Sequence, residues 1–176
     1  KFIFPIKCPS CGSKTVKEYN LITKKEDAVR RCSSVGYECE KVSIEKIKHF
    51  VSKEALNIDG FGKKIVENFW DLKLIKLPQD IFKLDYTKIE NLDGWGRQSV
   101  ANLKYSINSS KTVSLERLIY ALGIRHIGLE NAKLLSKNLK SFKNFLVLAK
   151  KNNFDDLLNI DGIGETQIFS IKNFFS

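Results

Sequence analysis

A short glycine-rich pattern occurs four times along the chain at nearly constant spacing, and this repetition limits the possible folds more than any other feature. Eight of the ten glycines lie in the four copies. Counted from the last glycine of each copy, the steps are 34, 32 and 36 residues. A period of this length predicts an array of similar supersecondary units. The copies are Ile58–Gly62, Leu92–Gly96, Gly123–Gly128 and Ile160–Gly164.

Apolar residues keep the same register around each copy. With the last glycine as position zero, positions −4, −1, +4 and +7 are apolar in every copy. The +4 and +7 positions share one face of a helix that begins after the glycine, whereas −4 and −1 flank a turn. Phe61 and Trp95 occupy position −1, so we expect both to pack in the core rather than to stack on bases. Further helices are predicted at Ile44–Val51, Pro78–Leu84, Leu115–Leu122 and Phe142–Ala149.

The glycine-apolar-glycine arrangement is suited to binding phosphate. The apolar residue anchors the turn, while the glycines keep side chains off its outer surface and expose backbone N–H groups at a helix N-terminus. These donors and the positive end of the helix dipole favour an anion. Such a contact carries no base information, so it would hold a duplex without reading its sequence. In a single copy the glycines could equally well serve only as turn residues, but four copies in register favour phosphate binding.

Candidate DNA-binding residues follow from this pattern and from the cations beside it. The fourth copy is followed by Glu165, which argues against a strong contact there. Asp59, Asp93 and Asp161 precede glycines as in ordinary turns, and no residue is predicted to be catalytic. His126 stands where the other copies have their first glycine. The candidates are Gly60, Gly62, Lys63, Lys64, Gly94, Gly96, Arg97, Arg125, His126, Gly128, Gly162 and Gly164.

All four cysteines lie in the first 39 residues, as Cys8-x2-Cys11 followed by Cys32-x6-Cys39. The two-residue spacing lets both thiolates of the first pair reach one ion, and Gly12 can adopt the backbone of a tight knuckle. We predict that all four cysteines bind one zinc ion. The zinc would be structural, because four thiolates leave no open position for a substrate. Two disulfides, which a cytosolic setting disfavours, and four separate thiols are the alternatives.

The predicted fold class is mainly α, in two parts. Residues 1–42 would form the four-cysteine module, in which a metal replaces the core that about 40 residues can hardly build alone. Residues 43–176 would form an all-α domain of four tandem motifs, with a first motif pair at 43–110 and a second at 111–176. Within the module, the sequence predicts strands at Thr15–Val16 and Tyr19–Ile22 and a polar turn at Lys24–Asp27.

Charge and composition narrow the class of partner. Thirty Lys and Arg against twenty Asp and Glu give a net charge of +10, which favours a polyanion. No apolar run approaches the roughly 18 residues of a membrane helix, and no signal peptide is evident. We therefore expect a cytoplasmic monomer that does not bind membranes. Since the chain contains no methionine, even at position 1, we expect it to be a piece of a longer protein.

Six stretches of the chain carry a family resemblance: the CPSCG knuckle, the second cysteine pair, Ile47–Ala55, IDGFG, LIYALGIRHIG and the final IDGIG. Together they resemble the C-terminal half of bacterial NAD⁺-dependent DNA ligases. The most specific are His49–Ser52 and Tyr120–Arg125. The resemblance implies a four-cysteine zinc finger and a four-motif helix-hairpin-helix domain that binds the minor groove around a nick in double-stranded DNA. It further implies a parent enzyme that seals nicks in replication and repair.

The same resemblance implies that the chemistry is carried out elsewhere. In that family the nucleotidyl-transfer lysine lies in a Lys-x-Asp-Gly motif, whereas the place of that lysine before the Asp-Gly pairs here is taken by Asn57, Asn91 and Asn159. The chain itself is therefore predicted to be non-catalytic, with NAD⁺ and Mg²⁺ acting only in an upstream part. The Cys32-x6-Cys39 spacing is slightly longer than the family pattern, which affects the expected loop more than the expected metal.

Other functions fit parts of the pattern. Another repair or recombination protein built from tandem helix-hairpin-helix units would bind duplex DNA in the same way. A helix-hairpin-helix base-excision glycosylase needs a catalytic Lys or Asp in a base-flipping pocket, and nothing in the sequence marks one. A zinc-stabilised protein-interaction module would use the glycines only as turns. Salt-sensitive binding of duplex DNA distinguishes a DNA-binding domain from such a module.

Overall fold

The computed structural model describes residues 3–20 and 24–176. The chain divides into two compact units, each built from segments that are distant in sequence. The first comprises the residues up to Lys48 together with Lys63–Leu84, and the second comprises His49–Gly62 together with Asp85–Ser176. The predicted domain boundary between residues 42 and 43 stays a prediction.

A two-stranded antiparallel sheet lies within the described part of the first unit. Strand β1 (Thr15–Asn20) pairs with β2 (Lys25–Cys32), with Thr15 opposite Cys32. The strand predictions are confirmed as far as residue 20, while residues 21 and 22 lie outside the described part of the chain.

The predicted polar turn at Lys24–Asp27 is wrong for its last three residues, which belong to β2. Lys24 alone has the left-handed backbone of a turn, with φ of 53°. The charged residues fit into the strand because this ribbon is largely exposed, so polar side chains lose little hydration there. Lys17 of β1 pairs with Glu26 of β2 at 3.8 Å.

The helices of the first unit follow the sheet. Helix α1 (Glu40–Val51) begins directly after Cys39, and its last three residues belong to the second unit. Helix α2 (Lys63–Asp71) is joined to α1 by Lys48, whose ammonium lies 2.7 Å from Glu67. The predicted helix at Pro78–Leu84 is a 3₁₀ helix, Pro78–Lys83, and the Asp80 carboxylate accepts hydrogen bonds from the amides at its start.

The second unit is helical throughout its regular elements. The predictions at 115–122 and 142–149 are confirmed by α5 and α7. Two short helices were missed, α3 and a 3₁₀ helix at Asp155–Asn159, and each comes shortly before a glycine turn. The α helices are α3 (Tyr86–Glu90), α4 (Arg97–Ser109), α5 (Leu115–Ala121), α6 (Leu129–Leu139), α7 (Phe142–Lys151) and α8 (Glu165–Phe175).

The apolar positions of the repeat that follow the glycines lie in the hydrophobic core. Every side chain at positions +4 and +7 is buried, and the amphipathic helices predicted after the glycines are thereby confirmed. In the second unit, the last two copies share one hydrophobic cluster that includes Leu135, Phe145 and Phe154. The ring of Phe145 meets the ring of Phe154 edge-on, with centroids 6.2 Å apart. No helix in the described ranges is long and apolar enough to cross a membrane.

The core assignment predicts a contrast within helix α6. Leu135 is fully buried, whereas Leu129 of the same helix is 47% exposed. We expect Leu135→Ala to lower the free energy of unfolding by about 2–5 kcal/mol, because it removes buried methyl groups and leaves a cavity. Leu129→Ala should cost less than about 1 kcal/mol. Urea unfolding followed by circular dichroism measures both, and equal losses would contradict the assignment.

Candidate metal site and nucleic-acid interface

Each copy of the repeat folds as the same four-residue turn. The amide at position −1 donates a hydrogen bond to the carbonyl oxygen at position −4, which closes the turn. The third residue of such a turn takes a left-handed backbone, as in type II turns. The bonds are Phe61 to Ile58 (3.1 Å), Trp95 to Leu92 (3.1 Å), Ile127 to Ile124 (3.1 Å) and Ile163 to Ile160 (2.9 Å).

The third residue explains the first glycine of each copy. Gly60, Gly94 and Gly162 have φ of 78°, 77° and 88°, a region that residues with a side chain rarely adopt. His126 occupies this position in the third copy with φ of 59°. The third turn therefore has the same backbone as the others although its residue is not glycine. The Asn131 side chain donates to the His126 carbonyl oxygen at 2.9 Å, which helps to hold this conformation.

The second glycine of each copy has a different role. Gly96, Gly128 and Gly164 are extended residues that directly precede α4, α6 and α8, and Gly62 directly precedes α2. Extended backbone is open to any residue. A Cβ atom added at Gly62, Gly96 or Gly128 would meet nothing within 4 Å. Neither backbone conformation nor internal packing therefore requires glycine at these three positions.

The turns differ in how the amide of the second glycine is used. The Gly96 amide donates to Ser99 Oγ at 2.9 Å, and the Gly164 amide donates to Gln167 Oε1 at 3.1 Å. Among the described residues, the amides of Gly62 and Gly128 have no hydrogen-bond partner. Sequence reasoning missed the Ser99 and Gln167 contacts, although their spacing from the helix start is that of a capping box.

The predicted cations lie at the starts of the helices and at the third turn. Lys63 and Lys64 are exposed in the first turn of α2, and His126 is exposed. The Arg97 side chain is 94% exposed, although its Nε lies 3.1 Å from Glu90 Oε1. Arg125 is half-buried, and this burial lowers the pKa of its guanidinium, which stays protonated at neutral pH.

The residues at position −1 anchor the turns to different extents. Phe61, Ile127 and Ile163 are buried, at 2%, 5% and 5% exposure. The prediction of core packing is confirmed for Phe61, whereas Trp95 is only half-buried. The indole of Trp95 therefore keeps part of its surface in contact with solvent, and the prediction of core packing holds only in part for this residue.

The four cysteine sulfurs converge on one point in the first unit. Cys8 and Cys11 precede β1, Cys32 ends β2, and Cys39 immediately precedes α1. All four sulfurs lie within 4.8 Å of one another. Cys8 and Cys39 are 3.8 Å apart and Cys11 and Cys32 are 3.4 Å apart. Four thiolates around a zinc ion with Zn–S bonds of about 2.3 Å are about 3.8 Å apart, so the cluster fits a tetrahedral site.

Local hydrogen bonds give the sulfurs unequal acidity. The Ser13 hydroxyl and amide donate to Cys11, which lowers its pKa to about 6. The amides of Cys11 and Ser10 lower the pKa of Cys8. The Ser34 amide also lowers the pKa of Cys32, but burial and the neighbouring sulfurs outweigh it and raise that pKa to about 12. Crowded thiols resist becoming four thiolates together, and a divalent cation at their centre would remove this conflict.

The structure also brings together the two segments that carry the most specific part of the resemblance. His49 Nε2 lies 2.7 Å from the Tyr120 carbonyl oxygen, and the two rings meet edge-on with centroids 4.6 Å apart. Arg117 donates to the carbonyl oxygens of Ala55, at 2.8 Å, and of Lys53. Sequence reasoning did not predict either contact.

Turns of this geometry, each leading into a helix, define a helix-hairpin-helix protein, and a family model described as a helix-hairpin-helix motif matches residues 117–176. Curated DNA ligases match almost the whole chain. That of Pelagibacter ubique is 69% identical over 175 residues, which is 99% of this chain. Those of Rickettsia bellii (strain RML369-C) and Ehrlichia canis are 46% and 45% identical and cover 97% and 100% of it. The resemblance to a region of bacterial DNA ligases is confirmed.

The chain spans about a quarter of the length of these relatives, since each match covers 26% of the curated protein. The region that matches contains both the cysteine cluster and all four copies of the glycine turn. The mainly helical fold class, with clustered cysteines followed by helix-hairpin-helix motifs, is thereby confirmed.

The two glycines of one turn should respond differently to the same substitution. Gly94→Ala places a side chain in the left-handed region and should lower the free energy of unfolding by about 1–2 kcal/mol. Gly96→Ala places a methyl group on extended backbone in open space and exchanges the N-cap glycine of α4 for a poorer N-cap residue, so it should cost less than about 1 kcal/mol. Urea unfolding of the two variants tests this difference. A larger loss for Gly96→Ala would show that the second glycine is needed for folding.

Proposed function

We propose that this chain is the DNA-gripping region of an NAD⁺-dependent DNA ligase, and that it binds double-stranded DNA through phosphate contacts without reading base sequence. The observation that carries the proposal is the second glycine of the turns. At Gly62, Gly96 and Gly128, glycine serves neither the backbone nor the internal packing. Because glycine has no side chain, the outer surface of the turn stays open, and the backbone of another molecule can approach it closely.

The chemistry exposed at these positions fits a phosphate oxygen. The first amides of a helix have no partner within the helix, and they point in the direction of the positive end of its dipole. Candidate cations beside the turns add attraction for a polyanion, in a chain with a net charge of +10. Phosphate groups are common to all duplexes, so such contacts position DNA without selecting a sequence.

The turns are not equivalent as phosphate sites. The fourth is the weakest candidate, because Gln167 Oε1 already accepts a hydrogen bond from the Gly164 amide. The same oxygen lies 3.4 Å from the position that a Cβ at Gly164 would take. Glu165 places an exposed carboxylate at the start of the same helix. The first and third turns retain an amide with no partner among the described residues, so we expect them to bind phosphate most strongly.

The remaining features of the proposal follow from the relatives. The relatives are DNA ligases, so we propose nicked duplex as the preferred substrate, bound along the minor groove. Adenylation with NAD⁺ and Mg²⁺ would take place in a part of the enzyme outside this chain. We further propose that the region acts as a cytoplasmic monomer in replication and repair.

The cysteine cluster is proposed to hold a structural zinc ion. Its ligands would be Cys8, Cys11, Cys32 and Cys39, and the proposal is supported by their sulfurs, which lie within 4.8 Å of one another. The metal would join the knuckle, the end of β2 and the start of α1, in a segment whose large apolar side chains are mostly exposed. With all four positions filled by sulfur, the ion has no site for substrate and acts only on folding.

We predict one zinc ion per chain after purification without chelators, measured by plasma mass spectrometry. Cys11→Ser should reduce the content to well below one equivalent, because it removes one of four ligands. Ser10→Ala keeps all four sulfurs in the same knuckle and is the matched control. Acidification should release the metal, since protons compete for the thiolates. A metal-free protein with an intact sheet, or two disulfides, would contradict the assignment.

If the turns bind phosphate, Gly62→Leu and Gly96→Leu should each lower the affinity for DNA by about tenfold or more, because the new side chain blocks the approach of a phosphate group. For each variant, the loss should be the same on duplexes of unrelated sequence. Binding by the parent should weaken steeply with salt. Fluorescence anisotropy with two duplexes of different sequence measures both effects. Gly164→Leu is the matched control and should matter less.

Circular dichroism must show that the variants are folded, which the open space at Gly62 and Gly96 favours. Folded variants that bind as the parent does, with the same salt dependence, would rule out phosphate binding by these turns. Duplex binding that is insensitive to salt would favour a protein-interaction module instead.

A further inference from the structure

Two side chains join the segment that carries the first turn to the helix that leads into the third. His49 contacts the end of α5 through the Tyr120 carbonyl oxygen, at 2.7 Å. In the opposite direction, Arg117 of α5 donates to the carbonyl oxygens of Lys53 and Ala55, in the loop just before the first turn. We call these contacts the His49–Arg117 brace. All of its residues belong to the second unit.

The residues around His49 fix the position of its proton and leave space for its ring. A carbonyl oxygen only accepts, so the His49 ring carries its proton on Nε2 in this contact. Gly123 lies two residues after the end of α5, with φ of 65°, and leaves room for the ring, since an added Cβ would lie 3.3 Å from His49 Cδ2. A larger residue at position 123 would therefore be strained and would also crowd the ring.

The loop on the other side is equally constrained. The amides of Leu56 and Ile58 donate to the carbonyl oxygens of Phe50 and Val51 at the end of α1, at 3.2 and 3.1 Å. Ala55 and Leu56 are buried, at 0% and 4% exposure. These backbone hydrogen bonds fix the conformation of the loop, and Arg117 connects the loop to α5. The loop continues directly into the turn at Ile58–Phe61.

The first and fourth turns also pack on a neighbouring copy of the repeat. An added Cβ at Gly60 would lie 3.9 Å from Leu103 of α4, and one at Gly162 would lie 2.9 Å from Leu134 of α6. The first turn is thus attached to the second copy and the fourth turn to the third. Among the described residues, the brace supplies polar contacts that run between these two attachments.

From this arrangement we propose that His49 and Arg117 are positioning residues that hold the first and third turns in the orientation needed to bind one duplex at the same time. The proposal rests on the proposed DNA-binding function. When two binding elements are held rigidly, the second contact forms at a high effective concentration, and affinity exceeds that of either element alone. Without the brace, each element would still bind, but the second contact would no longer be favoured.

The test measures affinity as a function of duplex length. A duplex of about 8 base pairs, about 27 Å at 3.4 Å per pair, offers phosphates to few turns, whereas one of about 24 pairs can reach all of them. The variants are Arg117→Met, His49→Ala and the double variant. His49→Gln and Arg117→Lys retain a donor at each position. Lys111→Met removes one exposed positive charge outside the brace and is the matched control.

We expect the parent to bind the long duplex much more tightly than the short one. The double variant should bind the short duplex within about twofold of the parent and the long duplex about tenfold or more weakly. His49→Gln and Arg117→Lys should recover most of the long-duplex affinity. The salt dependence on the short duplex should not change, whereas loss of a direct phosphate contact would reduce its slope by about one.

Equal losses on short and long duplexes, or a reduced salt slope for Arg117→Met, would overturn the proposal, because the side chains would then contact DNA or support folding. Unchanged affinity for the long duplex would overturn it as well. Circular dichroism separates unfolded variants from these cases, and the single variants give the same comparison if the double variant does not fold. A parent that binds no duplex at all would instead refute the proposed function itself.

Discussion

The architecture of the helical array depends on one hydrogen bond that is repeated in every copy, from the amide at position −1 to the carbonyl oxygen at position −4. In all four copies the turn that this bond closes has its third residue in the left-handed region, as in type II turns. The same bond turns an apolar side chain inward and directs the next helix so that its first amides face outward. Core packing and surface chemistry are thus set by a single local geometry, which is why the two appear together four times along the chain.

The turns and the buried helix faces could be predicted from the sequence, because two independent signals agree. The glycine spacing marks the turns, and the +4 and +7 positions, such as Val66 and Phe69, mark the buried helix face. Elements without such signals were missed or misplaced. Helix α3 and the 3₁₀ helix at Asp155–Asn159 are about one turn long and too short for an apolar period to show. Residues 25–27 look like a turn because they are charged, yet they lie in an exposed strand where charge is tolerated.

The third turn shows where local preference ceases to predict structure. A histidine in place of glycine suggests a different backbone, but His126 adopts the same left-handed conformation as Gly60 and Gly94. The bonds and packing around the turn outweigh the intrinsic cost of this conformation, which is about 1–2 kcal/mol. Contacts between distant segments are likewise invisible in one sequence. His49 and Tyr120 are 71 positions apart, and no pattern within either segment specifies the other. The cysteine cluster is the opposite case, because its spacing alone indicated convergence.

At the second glycine of the first three turns, a substitution can affect function without affecting folding, although the two usually change together in a folded protein. At most positions inside a tight turn, a substitution that harms function also harms folding, and the cell removes the product through its quality-control proteases. At Gly62, Gly96 and Gly128 a replacement would leave a well-folded, abundant protein with an obstructed surface. In natural sequence variation or a mutational library, such alleles would escape any screen based on expression level or melting temperature.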